Sequence, residues 1–114
     1  MRLVLGTVLA GAALVAAPAT AAAPKPRTVK IADNYYLPAK TTIKPRTKVV
    51  WRWPAEAGDV HDVKLKSAPR GVKKFHSEPA SAGYAFKRTL EKTGRYKIVC
   101  TLHEEMTMTI TVRR

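Results

Sequence analysis

Residues 96–112 read YKIVCTLHEEMTMTITV, two runs of alternating apolar and polar residues joined by a short polar loop. In the first run, Tyr96, Ile98 and Cys100 fall on one face. In the second run, the residues that share a face are Met106, Met108, Ile110 and Val112. Because a period of two is typical of strands with one buried face, this stretch predicts two adjacent strands whose apolar sides face a core.

The same alternation recurs upstream, and no internal repeat or long helical pattern follows the first two dozen residues. We expect further strands at residues 28–31, 42–53 and 60–66 and one beginning at Tyr84. Residues 34–38 should form a turn, and residues 67–83 a long irregular connection. Six or so short strands without a helix predict an all-β fold, a two-sheet sandwich that closes nearly into a barrel.

Two features leave alternatives open within this pattern. Strict alternation from Phe86 places Arg88 on the buried face, and either a β-bulge or a position at a sheet edge would resolve the conflict. The pair Tyr35-Tyr36 follows a strand and either packs over one end of the sandwich or serves a partner surface. Trp51 and Trp53 are expected in the core.

The loop within residues 96–112 contains the donor atoms of a metal site. Cys100, the only cysteine, is followed by His103 and Met106, and His61 lies upstream on the inward face of its expected strand. A chain with one thiol cannot form an internal disulfide, so that thiol is intermolecular, reactive or bound to a metal. One thiolate, two imidazoles and one axial thioether are the ligands of a mononuclear copper electron-transfer site. The sequence therefore predicts one copper ion, alternating between Cu(I) and Cu(II).

At these residues the chain resembles the small blue copper proteins, the cupredoxins, over nearly all of residues 22–114. Gly94-Arg95-Tyr96-Lys97-Ile98-Val99-Cys100-Thr101-Leu102-His103 is similar to their Gly-x-Tyr-x-x-x-Cys-x-x-His signature, and Val60-His61-Asp62-Val63 to their first-histidine strand. Two residues separate Cys100 from His103 and two separate His103 from Met106, as in the short loop of the amicyanins. This amicyanin-like or plastocyanin-like resemblance implies a cupredoxin-like Greek-key β-sandwich, a type 1 copper site and one-electron transfer.

The resemblance also implies a hydrogen bond between Asp62 and Thr101 that fastens the ligand loop to the sandwich. An ordinary exposed carboxylate is the alternative for Asp62, since alternation places it on the outer face. Met108 is a second candidate for the axial ligand, although its place inside the last strand predicts a core residue. His76 is expected to be exposed and not a ligand.

Residues 1–21 are expected to be an export signal that is cleaved. Arg2 supplies the positive start, residues 3–16 the apolar stretch, and Ala19-Thr20-Ala21 the small-residue cleavage pattern. Cleavage after Ala23 is the alternative site, and a retained membrane anchor is disfavoured because a span needs roughly 20 apolar residues. Residues 22–28 should then be a flexible arm, and residues 29–114 one copper-binding domain in the periplasm or outside the cell.

The charge is strongly basic, with 21 Lys and Arg against 8 Asp and Glu and a formal net charge of +13. Such a field favours a redox partner with an acidic docking surface, or an anionic envelope surface. Nucleic acid is not expected, because export separates the protein from it and the aromatic residues are not interleaved with the basic ones. Glu104 and Glu105 orient a cationic partner or form a solvated turn. Nothing in the sequence indicates an obligate oligomer, so a monomer is expected.

Three classes of function compete for this ligand set. A soluble one-electron carrier is the leading hypothesis, and an extracytoplasmic copper storage or delivery protein without obligatory redox turnover is the alternative. An enzyme is disfavoured because three histidines cannot assemble a multinuclear copper centre beside this site. Zinc accepts the same His and Cys ligands, so the residues alone do not decide the metal. The remaining explanation is coincidence: a buried thiol, a loop histidine and core methionines in an exported β-domain.

Overall fold

The computed structural model describes residues 2–4, 6–8, 10–12 and 22–114. Most of the predicted export signal, including its expected cleavage site at Ala21, lies outside the described residues. In residues 22–114 the chain forms eight strands: β1 (Arg27–Ala32), β2 (Tyr35–Leu37), β3 (Lys40–Ile43), β4 (Thr47–Arg52), β5 (Lys64–Ser67), β6 (Ala85–Leu90), β7 (Gly94–Val99) and β8 (Thr107–Val112). The described part of the chain contains no helix that is long and apolar enough to cross a membrane.

The strands form two four-stranded sheets, with the orders β2-β1-β4-β6 and β3-β8-β7-β5. β1 pairs with β4 and β3 pairs with β8 in parallel, while the other neighbours are antiparallel. Apolar side chains from both sheets meet in one core, whose completely buried members include Val29, Trp51, Ile98 and Ile110. The predicted all-β sandwich is confirmed.

The hairpin of β7 and β8 has the alternation predicted for residues 96–112. Tyr96 lies opposite Ile110, and Ile98 lies opposite Met108. Each of these four side chains is at most 1% exposed. Burial of an apolar side chain of this size contributes about 1.5–3 kcal/mol, so a one-residue slip of the register would be costly.

The structure divides the long strand expected over residues 42–53. Pro45 and Arg46 form a turn in which the N–H of Thr47 donates to the carbonyl of Lys44 at 3.3 Å. Arg46 has a φ of 70° there, the left-handed value that the third position of a type II turn requires, and Pro45 suits the second position. This turn separates β3 from β4, and the two strands belong to different sheets. β2 is a further correction, because it lies inside the segment predicted as a turn.

The edge position of β6 resolves the conflict at Arg88. The register of β6 with β4 is unbroken, so no bulge is present between them. The Arg88 guanidinium lies over the Phe86 ring, 4.2 Å from its centroid, and 5.7 Å from that of Phe75. The side chain thus covers the aromatic edge of the core while its charge reaches water.

Candidate metal centre

His61 lies in an irregular buried segment before β5, whereas the alternation predicted it within a strand. Its N–H donates to the carbonyl of Ala80 at 2.9 Å, and the Ala80 N–H returns a bond of 3.0 Å to the His61 carbonyl. The same carbonyl accepts from Nε1 of Trp53 at 3.2 Å. Because buried backbone groups need partners, these three bonds allow a non-strand residue to sit at 1% exposure.

The two residues after His61 are held in the same way by distant parts of the chain. The Tyr36 hydroxyl donates to the Asp62 carbonyl at 2.7 Å. The Val63 N–H donates to Oγ of Ser77 at 2.8 Å, and the Ser77 N–H donates to the Val63 carbonyl at 2.8 Å. Hydrogen bonds to distant segments, and not the hydrogen-bond ladder of a strand, therefore set the position of His61. Tyr36 is buried and packs over this end of the sandwich, which was one of the two alternatives for the Tyr35-Tyr36 pair. Its neighbour Tyr35 remains half exposed.

The loop between β7 and β8 closes on itself. Cys100 follows the last residue of β7, and its N–H donates to the Met106 carbonyl at 3.0 Å. The Met106 N–H donates to the His103 carbonyl at 3.1 Å. Cys100 and Met106 are buried at 4% and 1% exposure, whereas His103 is only half buried.

The structure brings three of the four predicted ligands together. One donor atom each from His61, Cys100 and His103 lies within 4.8 Å of the other two. Met106 is buried directly after the loop that carries His103, and Met108 is buried on the same face of β8. His76 is not a member of this cluster.

The ring nitrogens of both histidines are arranged for metal binding. Nε2 of His61 lies 2.7 Å from the Asp33 carboxylate, and Nε2 of His103 lies 3.2 Å from the Val60 carbonyl. Both partners only accept, so in the neutral rings Nε2 carries the proton and Nδ1 is left with a lone pair. Nδ1 of His61 is buried and has no hydrogen-bond partner. An orphaned buried nitrogen beside a thiol and a second imidazole fits a bound metal ion.

Asp33 is a residue of the site that the sequence analysis did not identify. Besides accepting from His61, its carboxylate accepts from the Asp59 N–H at 3.2 Å. A Cβ at Gly58 would lie 2.7 Å from the carboxylate, so the glycine permits this close approach. The hydrogen bond with His61 holds the pKa of Asp33 below its ordinary value. No spacing in the sequence signals the contact, because 28 residues separate the two partners.

The hydrogen bond implied by the resemblance between Asp62 and Thr101 is present. The Thr101 N–H donates to Asp62 at 2.7 Å, the Thr101 hydroxyl donates to the same carboxylate, and His76 Nε2 lies 2.8 Å from it. Burial would raise the pKa of Asp62, but the hydrogen bonds from His76 and Thr101 outweigh it and lower the pKa. The alternative of an exposed Asp62 is wrong, since the residue is 3% exposed. His76 is half exposed, as predicted, yet contacts this buried carboxylate.

Several solved structures of copper proteins are similar to this chain. One is a variant of amicyanin in its reduced Cu(I) form, in which a proline is replaced by glycine; it is 24% identical, with a TM-score of 0.66. The match covers 77% of this chain and 82% of the amicyanin chain. A pseudoazurin from Sinorhizobium meliloti is 20% identical, with a TM-score of 0.67 over 80% of this chain and 76% of its own. These two likenesses show the fold.

A copper-containing nitrite reductase from Thermus scotoductus SA-01 is 26% identical, with a TM-score of 0.65. The match covers 88% of this chain but 25% of the reductase, so this chain spans about a quarter of that enzyme's length. No curated protein matches the chain.

A family model described as copper binding proteins, plastocyanin/azurin family, matches residues 26–113. That range includes all eight strands, and the cluster of His61, Cys100 and His103 is compatible with one type 1 copper ion. The chain therefore belongs to the plastocyanin/azurin family of blue copper proteins, the cupredoxins.

Proposed function

We propose that this protein is an exported one-electron carrier that holds one copper ion through His61, Cys100, His103 and Met106. The observation that carries the proposal is the convergence of one thiol and two imidazoles within 4.8 Å, with Nδ1 of His61 buried and unpaired. In this assignment the two imidazoles, the thiolate and the Met106 thioether would together hold the ion, a mixed nitrogen and sulfur donor set that suits copper. Bound copper would supply a centre that accepts and releases a single electron.

The protein's contribution is to hold the donors before and after the electron moves. Asp33 and the Val60 carbonyl fix the two imidazole rings through their Nε2 atoms. Asp62 fastens Thr101, the residue after the thiolate, to the segment of His61. Rings and thiolate that are oriented by outer hydrogen bonds need little rearrangement when the charge on the site changes.

The surface above His103 supplies the route for electrons. His103 is less buried than His61, and the neighbouring Leu102 and Val60 are 51% and 46% exposed. A small apolar contact around a partly exposed ligand suits short-lived docking to a redox partner, because little is desolvated and few charges must be paired.

The proposal also includes the export of the protein, the bounds of its copper domain and its partner. Residues 1–21 direct export, and residues 29–114 form the copper domain, although the structure begins β1 at Arg27, inside the arm predicted over residues 22–28. The protein works as a monomer in the periplasm or outside the cell and is not itself an enzyme. Its partner is a redox protein; the prediction that this partner docks through an acidic surface depends on the net charge of the whole chain.

Two measurements distinguish an electron carrier from a copper storage or delivery protein: the rate of copper loss to a chelator and the reversibility of electron transfer. The copper-loaded protein should complete repeated oxidation and reduction cycles in voltammetry without losing copper to a high-affinity Cu(I) chelator. Its buried, four-donor site should release the metal more slowly than it exchanges electrons. Rapid loss of copper to the chelator, with sluggish or irreversible voltammetry, would contradict the carrier and favour delivery.

Met106 and Met108 offer a matched pair for testing the axial ligand. Both are 1% exposed and lie on one face of the same strand region, so Leu at either position makes a similar change in the core. We expect Met106→Leu to keep the thiolate-to-copper absorption but shift the reduction potential, because the axial ligand tunes it. Met108→Leu should leave the potential unchanged. A shift confined to Met108→Leu would assign the axial role to Met108.

Asp33 is expected to strengthen copper binding through His61. Asp33→Ala removes the acceptor of the His61 Nε2 proton and should weaken copper affinity by about 10- to 100-fold, the usual cost of losing such a partner. Asp33→Asn keeps an acceptor without the charge and should lose less. Competition titration against a calibrated copper chelator measures all three proteins.

Asp59→Asn is the control for Asp33, because it removes a neighbouring exposed carboxylate whose side chain does not contact His61. It should leave the affinity within a few-fold of wild type. Equal losses in Asp33→Ala and Asp59→Asn would mean that general surface charge, and not the hydrogen bond, sets the affinity.

A further inference from the structure

Basic and acidic residues are unevenly distributed within residues 25–114. Residues 32–39, 53–63, 75–86 and 99–106 contain no Lys or Arg, although the chain has 21 of them. The same segments contain seven of its 8 acidic residues, namely Asp33, Glu56, Asp59, Asp62, Glu78, Glu104 and Glu105. Charge is therefore segregated along the sequence, and we call these four segments together the copper end.

Hydrogen bonds join the four segments into one region of the surface. The first segment contacts the second through Asp33 and His61, and the second contacts the fourth through Asp62 and Thr101. The third joins the second where the Gly58 N–H donates to the Ser81 carbonyl at 3.3 Å. The carboxylates of Asp33 and Asp62 thus contact the segments of the proposed ligands, and Glu104 and Glu105 lie between His103 and Met106.

Exposed apolar side chains are concentrated in the same place. Among residues 22–114, the large apolar side chains that are clearly exposed are Tyr35, Leu37, Val60 and Leu102, at 46–52% exposure. All four belong to the copper end. Apolar side chains edged by charge of one sign are characteristic of a protein interaction surface, since a cluster of them is uncommon on the surface of a monomer without partners.

The other end of the sandwich has the opposite charge. Lys25, Arg27, Lys44, Arg113 and Arg114 line one surface groove near the start of β1 and the end of β8. Glu91, the one acidic residue outside the copper end, lines a second groove together with Arg46 and Arg114. The net charge of +13 therefore describes the body of the molecule and not the surface around His103.

We propose that the copper end docks onto a redox protein whose electron-transfer site is edged by lysines and arginines. The contact would place Leu102 and Val60 at its apolar centre and the carboxylates of Asp33, Glu104 and Glu105 at its rim. This inference rests on the proposed electron-carrier function and replaces the acidic partner predicted from net charge. At about 0.1 M ionic strength, charges beyond roughly 10 Å are largely screened, so the carboxylates of the loop that carries His103 should count for more at the contact than the basic groove at the other end of the sandwich.

Two small oxidants of opposite charge test the local field. The reduced protein gives one electron to tris(phenanthroline)cobalt(III), a cation, or to hexacyanoferrate(III), an anion, and stopped-flow absorbance follows each reaction. Near 0.1 M ionic strength, the cation rate should fall as salt is added, because rim attraction is screened. If only the anion rate falls with salt while the cation rate rises, the whole-molecule charge governs the site and the inference is overturned.

Glu104→Gln with Glu105→Gln removes two rim carboxylates and should slow the cation reaction by roughly three- to tenfold, since surface charges are individually weak. Glu91→Gln is the control, with one such change made at the opposite end, and should leave the rate unchanged. Equal effects of the two substitutions would overturn the role of the rim. The reversible visible band is recorded first for each protein, so loss of redox function is distinguished from loss of docking.

Chemical-shift mapping tests the class of protein partner without requiring electron transfer. The ¹⁵N-labelled Cu(I) protein is titrated with a c-type cytochrome whose haem edge is ringed by lysines, and with a b-type cytochrome whose haem edge is acidic. The basic cytochrome should shift amides of the copper end. Shifts of the copper end by the acidic cytochrome alone, or none there with the basic one, would overturn the inference.

Discussion

The Asp62 carboxylate joins the two parts of the chain that the metal site needs. It is 3% exposed and accepts hydrogen bonds from both the backbone and the hydroxyl of Thr101, while His76 approaches it from the surface. One neighbour of Asp62 is His61, and one neighbour of Thr101 is Cys100. A buried carboxylate without partners would cost several kcal/mol, so these bonds fix the histidine segment against the cysteine loop. The convergence of donor atoms within 4.8 Å depends on this connection.

The parts of the structure that were predicted correctly from the sequence have a local cause. The side-chain period of a strand is two, so the inward faces of β7 and β8 follow directly from the order of residues 96–112. A short loop between paired strands must bring its ends together, which places Cys100 beside Met106 with His103 between them. The proposed donor set could be suggested from the sequence for the same reason, since three of its four members lie within seven consecutive residues.

The parts that were missed depend on contacts between distant residues. Asp33 reaches His61 from a turn, and nothing nearby in the sequence marks that aspartate as different from any other turn residue. The alternation of its segment places Asp62 on the outward face. The residue is nevertheless buried, because Thr101 and His76 from two other segments contact its carboxylate at hydrogen-bond distance. Net charge has a similar limit as a guide, because a sum over the chain carries no information on position, whereas seven of the 8 acidic residues lie in the four segments of the copper end.

The central claim is that Cys100 and its neighbouring imidazoles bind one copper ion as a type 1 site. Titration of the purified chain, residues 22–114, with Cu(II) while recording the visible absorption spectrum tests it most directly. We predict an intense thiolate-to-copper band that saturates at one equivalent, is bleached by a reductant and is absent in Cys100→Ala. Weak copper binding without that band, or a spectrum that Cys100→Ala leaves unchanged, would contradict the account.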